Sequence, residues 1–183
     1  TNLEAYELYL KGHALAVRRN TSNAQKAAGL FEQVIASDPA FAPAYAGLVD
    51  AYASLSMDIQ GPAAPNAISS ETALALMGPA AETALQLDPL LAEAHAAMGL
   101  LYSRKLDWQK AEESFRRAID LNPSLTQIYA SYSMSTLIPL GKLAEAEQGQ
   151  ADGPFAELSR RFPTFVDLFA EIAELSQLRS NRG

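Results

Sequence analysis

An all-α fold of repeated antiparallel helix pairs is predicted for this chain of 183 residues. The first observation behind this prediction is composition, since alanine is abundant and β-branched residues are few, which favours helices. The second is a helix ending that recurs as "LFEQVIASDP", "AAETALQLDP" and "ESFRRAIDLNP", closing at Pro39, Pro89 and Pro123. Because each pair in such an array buries its apolar face against the next pair, we expect the pairs to stack into a superhelix.

The unit at residues 90–123 sets the period, because its flanking prolines lie 34 residues apart. Its first helix is expected at about 92–105, and Asp107 is in position to cap a second helix that ends before Pro123. Gly99 and Ala111 are small where the two helices approach each other. Phe115 is expected to fill the space between this pair and the next, and Ala118 to leave room for the following helix.

The other units follow the same pattern with departures. The second contains "SMDIQGPAAPNAISS" where a short turn is expected, which indicates an inserted loop. Pro79 falls inside its second helix, expected at about 70–87, so we expect a kink or a new helix start there. An apolar stripe from Phe165 to Leu175 is typical of a helix that covers the last open face of an array. We therefore predict one domain over 1–183, with repeats at 1–39, 40–89 (inserted loop near 57–69), 90–123 and 124–163 (degenerate), and a capping helix at 164–183.

These residues together carry a family resemblance. Gly12, Ala27 and Phe31 in the first unit repeat the pattern of the third, and the chain resembles a tetratricopeptide repeat domain. That resemblance implies a right-handed superhelix of antiparallel helix pairs. Two features depart from the family pattern: His95 stands where Trp is common, and Leu106 where the turn often has Gly. The phrases "AYELYLKG" and "DWQKAEESFRRAIDLNP" further resemble repeat regions attached to bacterial class III adenylate cyclases and winged-helix transcriptional activators. That resemblance implies an accessory domain of a larger bacterial regulatory protein, and the start at Thr1 without Met agrees with this expectation.

Charge excludes one large class of partner. The net charge is −7, and no Lys or Arg occurs between Lys26 and Arg104. Nucleic-acid binding requires a basic surface that displaces counterions, so we expect none by this domain. No apolar run is long enough to cross a bilayer, which predicts no membrane insertion. The absence of cysteine agrees with the cytoplasm, which we favour, and with the periplasm.

The sequence offers no catalytic or metal centre. His13 and His95 lie in different repeats without ligand spacing, and cysteine is absent, so we expect no metal and no cofactor. No nucleotide-binding loop, metalloprotease motif or nucleophile elbow occurs. Trp108 could be an exposed binding residue, but its place near the start of a second helix favours a core position. We therefore predict that this chain is not an enzyme, although its parent protein could be a cyclase.

The family resemblance implies a concave groove lined by the first helix of each repeat. Relatives that grip the C-terminal carboxylate of heat-shock chaperones use Lys, Asn and Arg there, and charge-assisted bonds need such donors. The matching positions here hold Tyr9, His13, Gly47, Glu93 and Ala97, so an acidic C-terminal tail is not the expected partner. An apolar or basic segment, or another domain of the parent chain, is expected instead. The candidate partner-binding residues are Tyr9, His13, Asp50, Leu100, Ser103, Arg104 and Met134.

Function is therefore predicted to be non-catalytic protein–protein interaction or scaffolding. One alternative is homo-oligomerisation, in which the repeats or the helix from Phe165 to Leu175 form a dimer that brings attached cyclase or DNA-binding domains together. Another alternative is a small-molecule sensor with a pocket under the loop at 57–69. The resemblance to cyclase-linked repeats makes dimerisation attractive, because class III cyclases build their active sites between two catalytic domains.

Overall fold

A computed structural model describes residues 3–17, 20–56 and 66–137. Within these ranges the chain forms α-helices and a π-helical turn and no β-strand, which confirms the predicted all-α repeat fold. The helices are α1 (Leu3–Ala16), α2 (Thr21–Ser37), α3 (Ala42–Leu55), α4 (Ser70–Leu87), α5 (Ala92–Arg104), α6 (Trp108–Leu121) and α7 (Thr126–Tyr132), and the π-helical turn is Ser133–Leu137. Each helix packs against its successor, and α1, α3, α5 and α7 also pack side by side.

The recurrent Asx-Pro endings form the turns that join one helix pair to the next. In each turn the Asx side chain accepts a hydrogen bond from the backbone N–H two residues later, at 3.0–3.2 Å for Asp38, Asp88 and Asn122. The proline carbonyl then bonds a side chain six residues further on. The three bonds are Tyr45 Oη to Pro39 O at 3.1 Å, His95 Nε2 to Pro89 O at 2.9 Å and Tyr129 Oη to Pro123 O at 3.2 Å. His95 therefore stabilises its turn in the same way that Tyr45 and Tyr129 stabilise theirs.

The second helices of the pairs begin with side-chain caps. Asn20 accepts from the N–H of Asn23 at 2.8 Å, and Ser69 and Asp107 do the same at α4 and α6. Each cap satisfies one of the backbone donors that a helix start leaves without a partner. Residues 20–22 thus form the cap and the start of the first turn of α2.

Two phenylalanines fill the spaces between helices. Phe31 of α2 is fully buried between Gly12 and Gly47, where an added Cβ would lie 2.8 and 2.6 Å from its ring. Phe115 of α6 is equally buried and faces Gly99 in the same way. The packing expected for Phe115 is confirmed, because its ring also lies 5.1 Å from that of Tyr132 in the next unit.

Helix α4 continues through Pro79 without a new start. The expectation of a fresh helix start was therefore wrong. An interior proline costs about 3 kcal/mol through the hydrogen bond that it removes. The buried face of α4 outweighs that cost, since Ala73, Met77 and Ala81 are fully inaccessible and pack between α3 and α5. Pro79 itself lies on the exposed side.

The turn from α5 to α6 is a Schellman motif. Asp107 N–H bonds to Tyr102 O at 3.0 Å, and Leu106 N–H bonds to Ser103 O at 3.1 Å. Leu106 stands at the position that usually has glycine and takes a left-handed φ of 59°. Asp107 then caps α6, so a single residue closes one helix and begins the next.

Several predictions concern residues outside the described ranges. The second half of the degenerate repeat predicted at 124–163 lies outside these ranges, and so does the capping helix predicted at 164–183. Most of the inserted loop predicted near 57–69 also lies outside them. The end of that loop is described: Ile68 N–H bonds to Leu55 O at 3.1 Å, which ties the chain back to the end of α3 before α4 begins.

Candidate functional site

The four first helices of the pairs contribute to one cavity of about 70 Å³, which we call the first-helix groove. It spans α1, α3, α5 and α7, so residues more than a hundred positions apart in sequence meet there. Most of its lining is apolar, with two carboxylates and one histidine among the polar groups. The lining residues are Tyr9, His13, Ala16, Phe31, Pro43, Ala46, Gly47, Asp50, Glu93, Ala96, Ala97, Leu100, Leu125, Gln127, Ile128 and Ser131.

A second cavity of about 420 Å³ adjoins the first, and we call it the Trp108 cavity. The two share Asp50, Leu100 and Ser131, so they form adjacent parts of one surface. Its volume falls within the range of about 300–1,000 Å³ that is usual for ligand pockets. Its lining residues are Asp50, Ala53, Ser54, Leu100, Ser103, Arg104, Leu106, Trp108, Ser131, Met134 and Ser135.

The structure places the predicted partner-binding residues along these two cavities. Tyr9 and His13 line the first-helix groove, and Asp50 and Leu100 line both cavities. The remaining three residues, Ser103, Arg104 and Met134, line the Trp108 cavity. They come from α1, α3, α5 and the π-helical turn after α7. Their positions on the first helix of each pair bring them to the same side of the array.

Tyr9 is held in an aromatic cluster at one end of the groove. Its ring lies 5.1 Å from Phe41 in an edge-on arrangement, 5.9 Å from Phe31 and 6.0 Å from His13. Burial raises the pKa of the Tyr9 hydroxyl to about 12, and the negative charge of Glu93 adds to this effect. The hydroxyl therefore stays protonated at neutral pH. It can serve as a polar group on a wall that is otherwise apolar.

Asp50 lies where the two cavities meet. Its carboxylate accepts a hydrogen bond from Gln127 Nε2 at 3.1 Å, which joins α3 to α7 across α5. Glu93 of α5 lines the same groove as a second carboxylate. The lining of the first-helix groove therefore includes two carboxylates and no Lys or Arg, and cationic groups should be favoured there.

Arg104 and Ser103 are engaged within the fold. The Nη2 atom of Arg104 donates to Ala53 O at 2.8 Å, in the last turn of α3, where a cation is favourable. Burial lowers the pKa of the Arg104 guanidinium. The buried hydroxyl of Ser103 bonds to Gly99 O at 2.8 Å and lies 2.8 Å from the hydroxyl of Thr136. Both residues position helices beside the cavity, a role that the sequence did not indicate.

Trp108 was expected in the core, but it is half-buried and lines the second cavity. Its spacing from Ala111 and Phe115 places it on the buried stripe of α6, which explains the expectation. Trp108 is, however, the first residue of α6, and the apolar face of the helix is less completely buried at that end. A position at a helix terminus was the signal that could have suggested partial exposure.

In the described part of the chain, no three His, Asp or Glu side chains gather where a metal ion could bind. Across residues 3–17, 20–56 and 66–137, every helix is too short or too polar to span a bilayer.

Comparison with known proteins agrees with this geometry. The sequence pattern of the family "Tetratricopeptide repeat" matches residues 92–125, which include α5, α6 and the turn into α7. Fifteen solved chains are similar in structure. The fold is that of a tetratricopeptide repeat domain.

One solved relative of this repeat domain is the Sgt2 TPR domain from Aspergillus fumigatus. Its TM-score is 0.51 at 20% sequence identity, and the similarity covers 83% of this chain and 87% of that one. At this identity the likeness concerns the fold. No curated protein matches the chain significantly.

Proposed function

We propose that this repeat domain is a non-catalytic interaction module that binds an extended protein segment along the first-helix groove. The observation that supports the proposal is the shared lining of that groove by α1, α3, α5 and α7. Helical repeat arrays use the surface formed by successive repeats to bind extended partners. Side chains from neighbouring helices can then contact the segment at intervals of about three residues, because packed helices lie about 8–10 Å apart and an extended chain rises about 3.3 Å per residue.

The chemistry of the groove supports an apolar and basic partner. Its carboxylates, Asp50 and Glu93, would attract Lys or Arg, and its alanines and Leu100 would accept apolar side chains. An acidic C-terminal tail is disfavoured, because it would meet these carboxylates. The nearby cation Arg104 is already bonded to the end of α3.

Panning of a phage-displayed library of random 12-residue peptides against the full 183-residue chain tests this proposal. We expect enriched peptides to combine Leu, Phe or Met with Lys or Arg. Glu93→Gln should reduce the enrichment of basic residues, whereas Glu82→Gln on the exposed side of α4 should not. Enrichment of acidic peptides would contradict the proposal. A selection in which no enriched peptide competes for the first-helix groove would contradict it as well.

We further propose that the domain is an accessory part of a larger bacterial signalling or regulatory protein, as the resemblance to cyclase-linked repeats suggests. The complete coding sequence tests this, since a cyclase or winged-helix domain should adjoin the repeats. A coding sequence with neither domain would contradict it.

Homo-oligomerisation is the second candidate function, and one specific observation favours it. Four large apolar side chains at α1 are exposed to solvent: Leu3, Tyr6, Leu10 and Val17. The sensor pocket predicted under the loop at 57–69 concerns residues that are mostly outside the described ranges, and it stays a prediction.

A further inference from the structure

Helix α1 is apolar on two opposite faces. One face is buried against α2 and α3 through Ala5, Gly12 and Ala16. The other carries four large apolar side chains that are exposed to solvent: Leu3 (75% exposed), Tyr6 (48%), Leu10 (48%) and Val17 (56%). At 100° per residue these four fall within an arc of about 60°. They form one continuous stripe, which we call the α1 outer stripe.

Such a stripe is unusual on an exposed helix face, because the side of a helix that faces solvent normally carries polar and charged residues. Half of the large hydrophobic residues exposed in the described parts of the chain belong to this stripe. A helix that is apolar on both sides is typically covered on both sides. The outer stripe therefore behaves as an interface rather than as a solvent-facing surface.

The charges beside the stripe indicate what covers it. Glu4 and Glu7 occupy the first half of α1, and Lys11 follows in the second half, on the same side of the stripe. If a second α1 lies antiparallel, Glu7 of each copy meets Lys11 of the other, and the pair forms twice by symmetry. A parallel twofold arrangement would instead place this charged flank against the opposite flank of the other helix, where Tyr9 and His13 lie, so the pair of Glu7 with Lys11 would not form. Antiparallel helix dipoles add a further small favourable contribution.

We propose that a second copy of this chain covers the α1 outer stripe, with the two α1 helices antiparallel about a twofold axis midway between Glu7 and Lys11. Such an interface is isologous: the two copies of Leu10 lie beside the axis, and Glu7 of each copy faces Lys11 of the other. This surface differs from the first-helix groove, so two copies could bind two extended segments. Dimerisation would also bring any domains attached to the two chains together.

The expected affinity is modest. A helix of this length spans about 21 Å, and the surface buried by two such helices is below the roughly 800 Å² per partner of a standard interface. Sedimentation velocity on the full 183-residue chain, from about 1 to 200 µM, should therefore show a monomer–dimer equilibrium with a micromolar dissociation constant. A strict monomer throughout overturns the proposal and leaves the stripe to another segment of the parent protein.

Leu10→Glu locates the interface. It should weaken dimerisation by at least about tenfold, because two carboxylates would be buried at the axis. Leu76→Glu is the matched control, since Leu76 is also half-exposed in mid-helix, on α4. Circular dichroism checks that both variants fold. Dimerisation that survives Leu10→Glu overturns the proposal.

Charge exchange tests the antiparallel arrangement. Glu7→Lys and Lys11→Glu should each weaken self-association, because position 7 then meets a like charge at position 11 of its partner. An equal mixture of the two variants should form a heterodimer in preference to either homodimer. The double variant, Glu7→Lys with Lys11→Glu, should recover self-association. If the mixture shows no preference for heterodimers, the antiparallel pairing is wrong.

Discussion

A methyl group added at Gly99 should destabilise the protein only while the ring of Phe115 is present. Both residues are buried, and they face each other across the α5–α6 pair. A Cβ at Gly99 would lie 2.7 Å from Phe115 Cδ2. That separation is well inside van der Waals contact, so the ring or the helix would have to move.

The magnitudes follow from three separate effects. Phe115→Ala removes a fully buried ring and should cost about 3–5 kcal/mol of the free energy of unfolding. Overpacking by Gly99→Ala should cost about 1–3 kcal/mol. Alanine in mid-helix gains about 1 kcal/mol over glycine, which leaves a net loss of about 0–2 kcal/mol. In the Phe115→Ala background the overpacking disappears, so Gly99→Ala should then stabilise by about 1 kcal/mol.

Urea unfolding followed by far-ultraviolet circular dichroism measures all four corners of this double-mutant cycle. We expect a coupling energy of about 1–3 kcal/mol with a change of sign for Gly99→Ala. Gly29→Ala in α2 is the matched control, because beyond the local backbone of α2 no atom lies within 4 Å of an added Cβ there. It should stabilise by about 1 kcal/mol in both backgrounds. Equal effects of Gly99→Ala with and without the ring, or a near-neutral Phe115→Ala, would refute the packing described above.

Three further predictions concern a turn, a helix end and a titration. Leu106→Gly should raise the free energy of unfolding by about 0.5–1 kcal/mol, because it relieves a left-handed φ of 59°, whereas Leu106→Ala should not; urea unfolding distinguishes them. Arg104→Met should lower the free energy of unfolding by about 1–2 kcal/mol, because the bond to Ala53 O is lost. Arg117→Met, on the exposed face of α6, is the control and should be near neutral in the same assay. The pKa of Tyr52 is raised to about 12 by burial and by its bond to a carboxylate, so its stabilising contribution is complete below pH 10 and is lost between about pH 10 and 12. Tyr52→Phe should weaken that loss in unfolding measured against pH, and an unchanged profile would contradict the assignment.

Much of the local structure was predictable because it depends on neighbouring residues. The helix at 70–87 and the cap at Asp107 follow from nearby side chains and backbone donors. The expected first-helix residues all reach the two cavities, since a helical period places equivalent positions of successive repeats on one side. The expectations of a new helix start at Pro79 and of a core position for Trp108 were wrong. Helix α4 stays continuous at Pro79 because its opposite face is buried. Trp108 is partly exposed because the first turn of α6 borders a cavity and is not packed against another helix.

The sequence by itself determined the all-α repeat fold, the turns at its Asx-Pro endings and the acidic character of its middle region. Only the tertiary structure decided which groups meet across repeats. The bond from Gln127 to Asp50 joins residues 77 positions apart, and that from Arg104 to Ala53 joins residues 51 apart. Local propensities fix where a helix begins and which face is apolar. The distance between two side chains on different helices depends on how the helices pack, and that is set by every contact between them at once.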